Sequence, residues 1–374
     1  MKRTNRNNLK KAVLNSVLPV LLALIIGAII IACIGEDPLA TYALLFEKSL
    51  LTPKGFMNTL HYAMPLVLTG LAIAVTFKAN IYNMAVEGSC VLGGFFAGIV
   101  GASLSAQMDV LSMQAICLLT GILFGVLFAL LPAVLKAVFH VDEMVVTLML
   151  NYALQKILEY LATGVFRDTA SGYVCTPTIH TNAMFNRIGN FRITPFVFIA
   201  LVAFIIIYLI MKHSKLGYEI TAMGKSATFS EAMGMRTTRK IIILMIISGA
   251  LSGLAGAGWM MSEKFKYTLD FSGNPGLGWD GMLVSLLGGH SPIGILVAAI
   301  LYAALKTGAD SINIYSTVPK EIVSVIQGLI ILFLAIKFVD ERFGVSGKIS
   351  QAIHTYKARH KKTTSDQISV QEEV

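Results

Sequence analysis

The chain has 374 residues, of which 55% are hydrophobic and only 14% are charged, and its mean hydropathy is +0.72. Soluble domains carry about 25% charged residues, so this composition excludes a soluble globular domain. The formal net charge of +9 does not indicate nucleic-acid binding, because the basic residues flank the apolar blocks, as they do in membrane proteins.

The apolar blocks predict membrane-spanning helices. Several of them reach the roughly 20 residues that a helix needs to cross a bilayer. Backbone groups in lipid must pair within their own segment, and the alternating pattern of a membrane barrel is absent. We therefore expect an all-α polytopic membrane protein with about ten transmembrane helices, at about 13–34, 56–77, 84–105, 114–139, 143–163, 195–212, 240–261, 279–289, 292–310 and 320–338.

The termini are both expected on the cytoplasmic side. Most of the 30 Lys and Arg residues fall on that side in this topology, as the positive-inside rule requires. The basic N-terminus and first apolar run resemble a signal peptide, but the run exceeds the roughly 7–15 residues of such a segment, so we expect an uncleaved helix. The predicted organisation is an N-terminus at 1–12, a transmembrane domain at 13–340 with a cytoplasmic loop at 213–239, and a tail at 341–374.

No cofactor or metal site is expected. The four cysteines are scattered and form no metal-binding motif. Gly224-Lys225-Ser226 resembles the end of a P-loop, but Glu219 stands where that motif requires glycine. Any ATP would therefore be bound by a partner subunit. The absence of a nucleophile–base pair or a metal-ligand cluster argues against an enzyme.

The two halves of the chain carry a faint internal repeat. Residues 87–94 resemble residues 280–289, and residues 143–145, which begin with Glu, resemble residues 321–323, which also begin with Glu. In the expected topology each matched pair crosses the membrane in opposite directions. This pattern is typical of transporters built from inverted repeats.

A patterned segment follows the sixth predicted helix. It is too polar to span the membrane, and its residues favour a short helix with an apolar face, stopped by a glycine. Such a helix either docks in a cleft of a cytoplasmic protein or lies on the lipid headgroups. The candidate coupling residues are Ser226, Phe229, Glu231, Ala232, Met233 and Gly234.

Polar groups inside apolar spans are costly and usually face a cavity or a partner helix. By this criterion the candidate pathway residues are Asn83, Glu87, Asn151 and Asp280, with Trp279 as a ring on which a flat solute could stack. The alternative for Glu87 and Asp280 is that each caps a helix start.

Glycines and one histidine mark two further features. Three GxxxG pairs, at 94/98, 121/125 and 249/253, predict close helix packing without a solute role. The glycines at 288–289 and Pro292 predict a helix break, which often borders a pathway. His290 lies at that break, either as a pH sensor or as a solvated turn residue.

Four segments carry a resemblance to a known family: 80–88, 141–152, 224–235 and 276–294. With these segments the chain resembles permease subunits of ABC importers in the ribose/branched-chain amino acid family, and within it the nucleoside and simple-sugar branch. Met84-Ala85 replaces the Ile-Gly of the family's motif, and Ser89 stands where the branch usually has Gln.

The resemblance implies a permease subunit of an ATP-driven importer for nucleosides or a related simple sugar, in a bacterial plasma membrane. It also implies a second permease subunit, expected to be a paralogue, a cytoplasmic ABC ATPase and an extracytoplasmic substrate-binding lipoprotein. It favours the coupling role for the segment at 226–235. The alternative from another class is an ion-coupled secondary transporter of a small polar solute.

Overall fold

A computed structural model describes residues 21–104, 107–189, 191–273 and 276–315, together with residues 322, 325, 326, 328 and 329. The chain divides into two compact units, Met1–Ile29 with Ser324–Val374, and Ile30–Val323. In the first unit the structure describes the beginning of one apolar helix and the few residues after 323. The predicted N-terminal segment 1–12, tail 341–374 and most of the expected helix at 320–338 lie outside the described residues.

The described elements are helices. Their bounds are α1 Leu21–Ile34, α2 Pro38–Phe46, α3 Pro53–Phe77, α4 Val86–Ser103, α5 Val110–Phe139, α6 Glu143–Thr163, α7 Phe196–His213, α8 Lys215–Lys225, α9 Ala227–Ala232, α10 Thr237–Trp259, α11 Leu277–Leu287 and α12 Pro292–Tyr315. A π-helical turn at Glu47–Leu51 continues α2, another at Met260–Lys264 continues α10, and a 3₁₀ turn covers Thr181–Ala183.

Within the described ranges, six helices are long and apolar enough to cross a membrane, namely α3, α4, α5, α7, α10 with its π-helical extension, and α12. Helices α1 and α11 are apolar but shorter. Helix α6 has 21 residues but includes Glu143, Lys156 and Glu159, which lower its hydropathy. The prediction of an all-α polytopic membrane protein is confirmed.

Capping residues move several helix boundaries from their predicted positions. Helix α3 begins at Pro53 because the Thr52 hydroxyl accepts a hydrogen bond from Gly55 N. Helix α5 begins at Val110 because the Asp109 carboxylate accepts one from Leu111 N. Helix α2 was missing from the sequence prediction, since it is too short to register as a span.

The centre of the second unit is built by α4, α5 and α10, which contact one another extensively. Their backbones meet through glycines: a Cβ atom at Gly253 would overlap the carbonyl oxygen of Gly121, and one at Gly125 would overlap that of Gly249. Gly93 lies against Gly253 in the same layer. The prediction that these GxxxG pairs serve helix packing is confirmed.

This close approach predicts a large effect of one methyl group. Gly253→Ala should lower the stability of the protein by about 1–3 kcal/mol, because the added carbon must push α5 and α10 apart. The measurement is the thermal unfolding midpoint of the purified chain. Gly172→Ala is the control, since nothing lies within 4 Å of a Cβ atom there. Equal midpoints for the two variants would contradict the packing assignment.

Candidate functional site

The chain between α3 and α4 forms an irregular segment, residues 78–85, of which residues 83–85 are buried inside the helical bundle. Asn83 is 1% exposed, and its Nδ2 donates to the Ser248 hydroxyl of α10 at 3.0 Å. Its Oδ1 accepts a hydrogen bond from Ala85 N at 3.0 Å, which fixes the start of α4. Irregular backbone at membrane depth is tolerated only where such partners satisfy it.

Helix α6 supports this segment from the other side with a row of polar side chains. The Glu143 carboxylate accepts from Tyr82 N at 3.0 Å and pairs with Lys136 Nζ at 2.6 Å. One turn further, the Thr147 hydroxyl accepts from Met84 N at 3.2 Å. These contacts lie on the buried face of α6, so they join that helix to the beginning of α4.

Asn151 completes the row and is fully engaged with the backbone. Its Oδ1 accepts from Gly88 N at 3.2 Å, and its Nδ2 donates to the Met84 carbonyl at 2.8 Å. Its principal contacts are therefore with the start of α4, which makes it a positioning residue. No local sequence pattern indicates these bonds, since they join residues more than 60 positions apart.

Helix α11 starts beside the start of α4. Glu87 Oε2 accepts a hydrogen bond from Gly278 N at 2.6 Å, and the carboxylate also interacts with the Ser272 hydroxyl and with the backbone N–H of Trp279. Gly276 has a φ of 118°, and a Cβ atom there would crowd the Glu87 carboxylate. The two segments that resemble each other in sequence therefore meet in space, with Glu87 acting on the first turn of α11.

A cavity of about 160 Å³ opens at this junction. It brings together three predicted pathway residues, Glu87, Asn151 and Trp279, with Tyr152. The sequence prediction missed the other side of the wall, which comes from the loop after α10. The residues of that loop are Tyr267, Leu269, Phe271, Ser272 and Gly273.

The cavity wall combines aromatic rings with hydrogen-bonding groups. Tyr152 is 67% exposed, and Trp279 is partly buried. Burial, with smaller effects from Glu159 and Glu87, raises the pKa of Tyr267 to about 12, so its hydroxyl stays protonated. The site can therefore stack a flat or ring-shaped solute and bond its polar edge.

Two predicted pathway residues do not line this cavity. Asn83 lies behind it against α10. Asp280, 1% exposed, faces α12, where it accepts a hydrogen bond from the Tyr302 hydroxyl at 2.6 Å and lies 3.6 Å from Lys306 Nζ. The predicted pathway role of Asp280 thus has a competing structural explanation, the joining of α11 to α12.

The segment at 226–235 forms a short exposed helix. The Ser226 hydroxyl caps α9 by accepting from Phe229 N at 3.2 Å, and Gly234, with a φ of 82°, ends it. Phe229 and Met233 are 64% and 66% exposed, and Ala232 is exposed beside them.

One face of this helix is anchored to the protein. Ser230 is buried, and the Glu231 carboxylate accepts a hydrogen bond from the hydroxyl of Thr237, at the start of α10. The predicted apolar face of the helix is therefore exposed.

Comparison with known proteins places this geometry in a family. The model of the family described as branched-chain amino acid transport system / permease component matches residues 55–335. The chain belongs to this permease family. The match includes α3 to α12, and so both the cavity and α9.

Curated relatives cover almost the whole permease. It is 31% identical to the nucleoside ABC transporter permease protein NupB of Lactococcus lactis over 95% of this chain and 100% of the relative. It is 32% identical to the guanosine ABC transporter permease protein NupP of Bacillus subtilis over 89% of this chain and 95% of the relative. It is 26% identical to the glucose ABC transporter permease protein TsgB13 of Haloferax volcanii, over 88% of each.

The permease also contains a charged cluster that the sequence analysis missed. Glu263, in the π-helical turn after α10, pairs with Arg192 at 2.5 Å and lies 3.4 Å from Nε2 of buried His61. The Tyr62 hydroxyl donates to the same carboxylate at 3.4 Å. His61 is an ionisable residue inside an apolar span, which is the signal that singled out Glu87.

The helix break after α11 is present in the permease, but the cavity lies at the other end of α11. Gly289 and His290 adopt left-handed conformations with φ of 60° and 53°. His290 Nδ1 is 3.0 Å from the Ser285 hydroxyl, and its ring packs on Phe77. The expectation of a solvated turn histidine is therefore wrong, because the side chain is largely enclosed.

The enclosure of His290 predicts a specific pH dependence of folding stability. Burial, followed by nearby Lys78, lowers the pKa of His290 from 6.5 to about 4. As the pH falls from about 6.5 to 4, the unfolded chain takes up a proton at this position that the folded chain does not, so folding stability decreases. His290→Asn, which tolerates the left-handed backbone, should lose this part of the dependence.

The measurement is the thermal unfolding midpoint of the purified permease at pH 7.5 and pH 5. The control is His213→Asn at the exposed end of α7, which should retain the wild-type decrease. The assignment fails if His290→Asn and the wild type lose the same amount of stability on acidification.

Proposed function

We propose that the chain is the permease subunit of an ATP-driven importer for nucleosides, and that the cavity between α4, α6 and α11 is part of its translocation pathway. The observation that carries the proposal is the combination of aromatic faces and hydrogen-bonding groups in that cavity. Two relatives named as nucleoside and guanosine permeases support it, because they cover nearly the whole chain.

The chemistry of a nucleoside matches the cavity wall. A base offers a flat ring that can stack on Tyr152 or Trp279, and a ribose offers hydroxyl donors. The Glu87 carboxylate is the natural acceptor for a hydroxyl, because a carboxylate offers about four lone-pair sites. Gln155, which also lines the cavity, supplies both a donor and an acceptor for a base edge.

A simple sugar is the second candidate substrate. The Haloferax relative is named as a glucose permease, and a sugar would use the same hydroxyl acceptor without needing two aromatic faces. Uptake of labelled purine nucleosides, pyrimidine nucleosides and ribose in a deletion strain separates the candidates. Transport of ribose alone would reject the nucleoside assignment.

Coupling to ATP is proposed to occur through α9. Its exposed Phe229 and Met233 form a small apolar knob on a helix that is held by the buried side chain of Ser230 and by the hydrogen bond from Thr237 to Glu231. An anchored helix of this kind can transmit motion from a protein that grips it. The proposed orientation therefore places α8 and α9, and both termini, in the cytoplasm.

The proposed assembly contains a cytoplasmic ABC ATPase, a second permease subunit that is a paralogue of this chain, and an extracytoplasmic substrate-binding lipoprotein. The ATPase would bind ATP, so this subunit needs no cofactor. Family membership favours this assembly over the ion-coupled alternative. Uptake that continues with an inactive ATPase partner but stops when an ionophore is added would instead favour the ion-coupled transporter.

Replacing the carboxyl group of Glu87 tests the pathway. Glu87→Gln should reduce nucleoside uptake by about tenfold or more, because a neutral amide is a weaker acceptor for a hydroxyl and for Gly278 N. The measurement is labelled nucleoside uptake, with the assembled complex quantified in parallel. The control is Asp270→Asn, which removes a carboxylate that is 80% exposed outside the cavity. Wild-type uptake by Glu87→Gln would contradict the assignment.

Replacing the apolar knob tests the coupling. Phe229→Ser with Met233→Ser should abolish co-purification of the ATPase and ATP-dependent uptake, because both side chains would lose their apolar contact with the partner. The variant should keep its unfolding midpoint, since neither side chain is buried. Ile188→Ser, an exposed apolar residue in the connection between α6 and α7, is the control. A double variant that still binds the ATPase would exclude α9 as the coupling helix.

A further inference from the structure

A second concave region lies next to α9, between α8 and the beginning of α10. This groove has a volume of about 610 Å³. Its charged lining residues are four cations and one carboxylate, namely Lys215, Arg236, Arg239, Lys240 and Glu219, and its wall includes the apolar Ile243.

The single carboxylate of the groove is already neutralised. Glu219 is 7% exposed and pairs with Lys240 Nζ at 2.5 Å. Among the residues that the structure describes, no carboxylate lies within ion-pair distance of Lys215, Arg236 or Arg239. The groove therefore carries an excess of positive charge without an internal counter-ion, and it is suited to an anion.

The groove lies beside the ends of two spanning helices, where lipid headgroups are expected. Lys215 follows the end of spanning helix α7 by two residues, and Arg239 and Lys240 lie in the first turns of spanning helix α10. Lys212 donates to the Tyr208 hydroxyl at 2.8 Å near the end of α7, as side chains at a membrane interface commonly do.

The wall of the groove continues into the hydrocarbon region. Ile243, which lines the groove, is 40% exposed although it belongs to an apolar spanning helix. An exposed apolar residue in the same groove as four cations matches one kind of molecule. That molecule has an anionic head and a hydrocarbon tail.

We propose that this groove binds an anionic phospholipid. Arg236 and Arg239 would hold the phosphate, since guanidinium groups bond phosphate oxygens in pairs. The acyl chains would lie on Ile243. Basic pockets between membrane helices are known to take such headgroups. The site is separate from the cavity at Glu87, and it does not depend on which solute the permease carries.

The contacts favour a lipid over the two other anionic occupants. A soluble phosphate compound would gain nothing from Ile243. A cytoplasmic protein that contacts α9 would reach Met233 at the edge of the groove, but it would gain nothing from Ile243, which lies about two turns inside spanning helix α10. Only a lipid uses both the cations and the apolar wall.

The test titrates the purified full-length permease with phosphatidylglycerol, with phosphatidylcholine as the neutral lipid and glycerol 3-phosphate as the soluble phosphate. Bound lipid is counted by native mass spectrometry, and the unfolding midpoint is followed in parallel. Arg239→Gln should weaken phosphatidylglycerol binding about fivefold, and Arg236→Gln with Arg239→Gln about 25-fold. Arg239→Lys should weaken binding less than Arg239→Gln does, because it keeps the charge but loses the paired hydrogen bonds of the guanidinium group.

Lys225→Gln is the matched control. It removes one exposed basic side chain at the end of α8 that does not line the groove, and it should leave binding within about twofold of the wild type. A loss equal to that of Arg239→Gln would mean that net charge alone attracts the lipid, and the site would be rejected.

Two other results would overturn the proposal. Equal stabilisation by glycerol 3-phosphate would identify a soluble phosphate site. If the variant with both Arg236→Gln and Arg239→Gln retains wild-type lipid binding but no longer co-purifies with the ATPase, the groove is a protein interface.

Discussion

The contact between the backbones of α4, α5 and α10 is the constraint on which the rest of the molecule depends. In lipid no hydrophobic force drives apolar helices together, so dispersion between closely fitted surfaces must do so. Gly93, Gly121 and Gly253 provide that fit, because side chains of any size would separate the helices. The beginning of α4, which carries Glu87, is consequently held at a fixed distance from α10.

Around this fixed centre, the polar groups of the membrane region bond to one another. Asn83, Thr147 and Asn151 satisfy the irregular backbone before α4, while Glu87 satisfies the start of α11. The helices can be interrupted inside the bundle because neighbouring side chains form hydrogen bonds with the backbone groups that the interruptions leave unpaired. The cavity lies where two such interruptions meet.

The sequence was sufficient for the fold class and for most helices, because long apolar blocks carry a strong and local signal. Helix α9 and its termination at Gly234 were also predictable, since a capping serine, a short apolar face and a glycine that stops the helix are adjacent in the chain. The cavity was only half predictable. Glu87 was identified by its polarity inside an apolar span and Trp279 by its aromatic ring. Phe271 and Ser272 belong to a loop whose sequence has no periodic pattern, so they were not identified. The engagement of Asn151 and Asp280 depends on distant partners that no local pattern records.

Gly224, near the end of α8, has a mechanical consequence. A Cβ atom at that position would overlap the Lys78 carbonyl, so α8 rests directly on the last turn of α3. From Lys78 the irregular segment 78–85 leads into α4, whose second residue is Glu87. The contact between α8 and Lys78 is therefore followed by only nine residues of chain before the wall of the cavity. The backbone itself, rather than a relay of side chains, links the exposed end of the molecule to its interior.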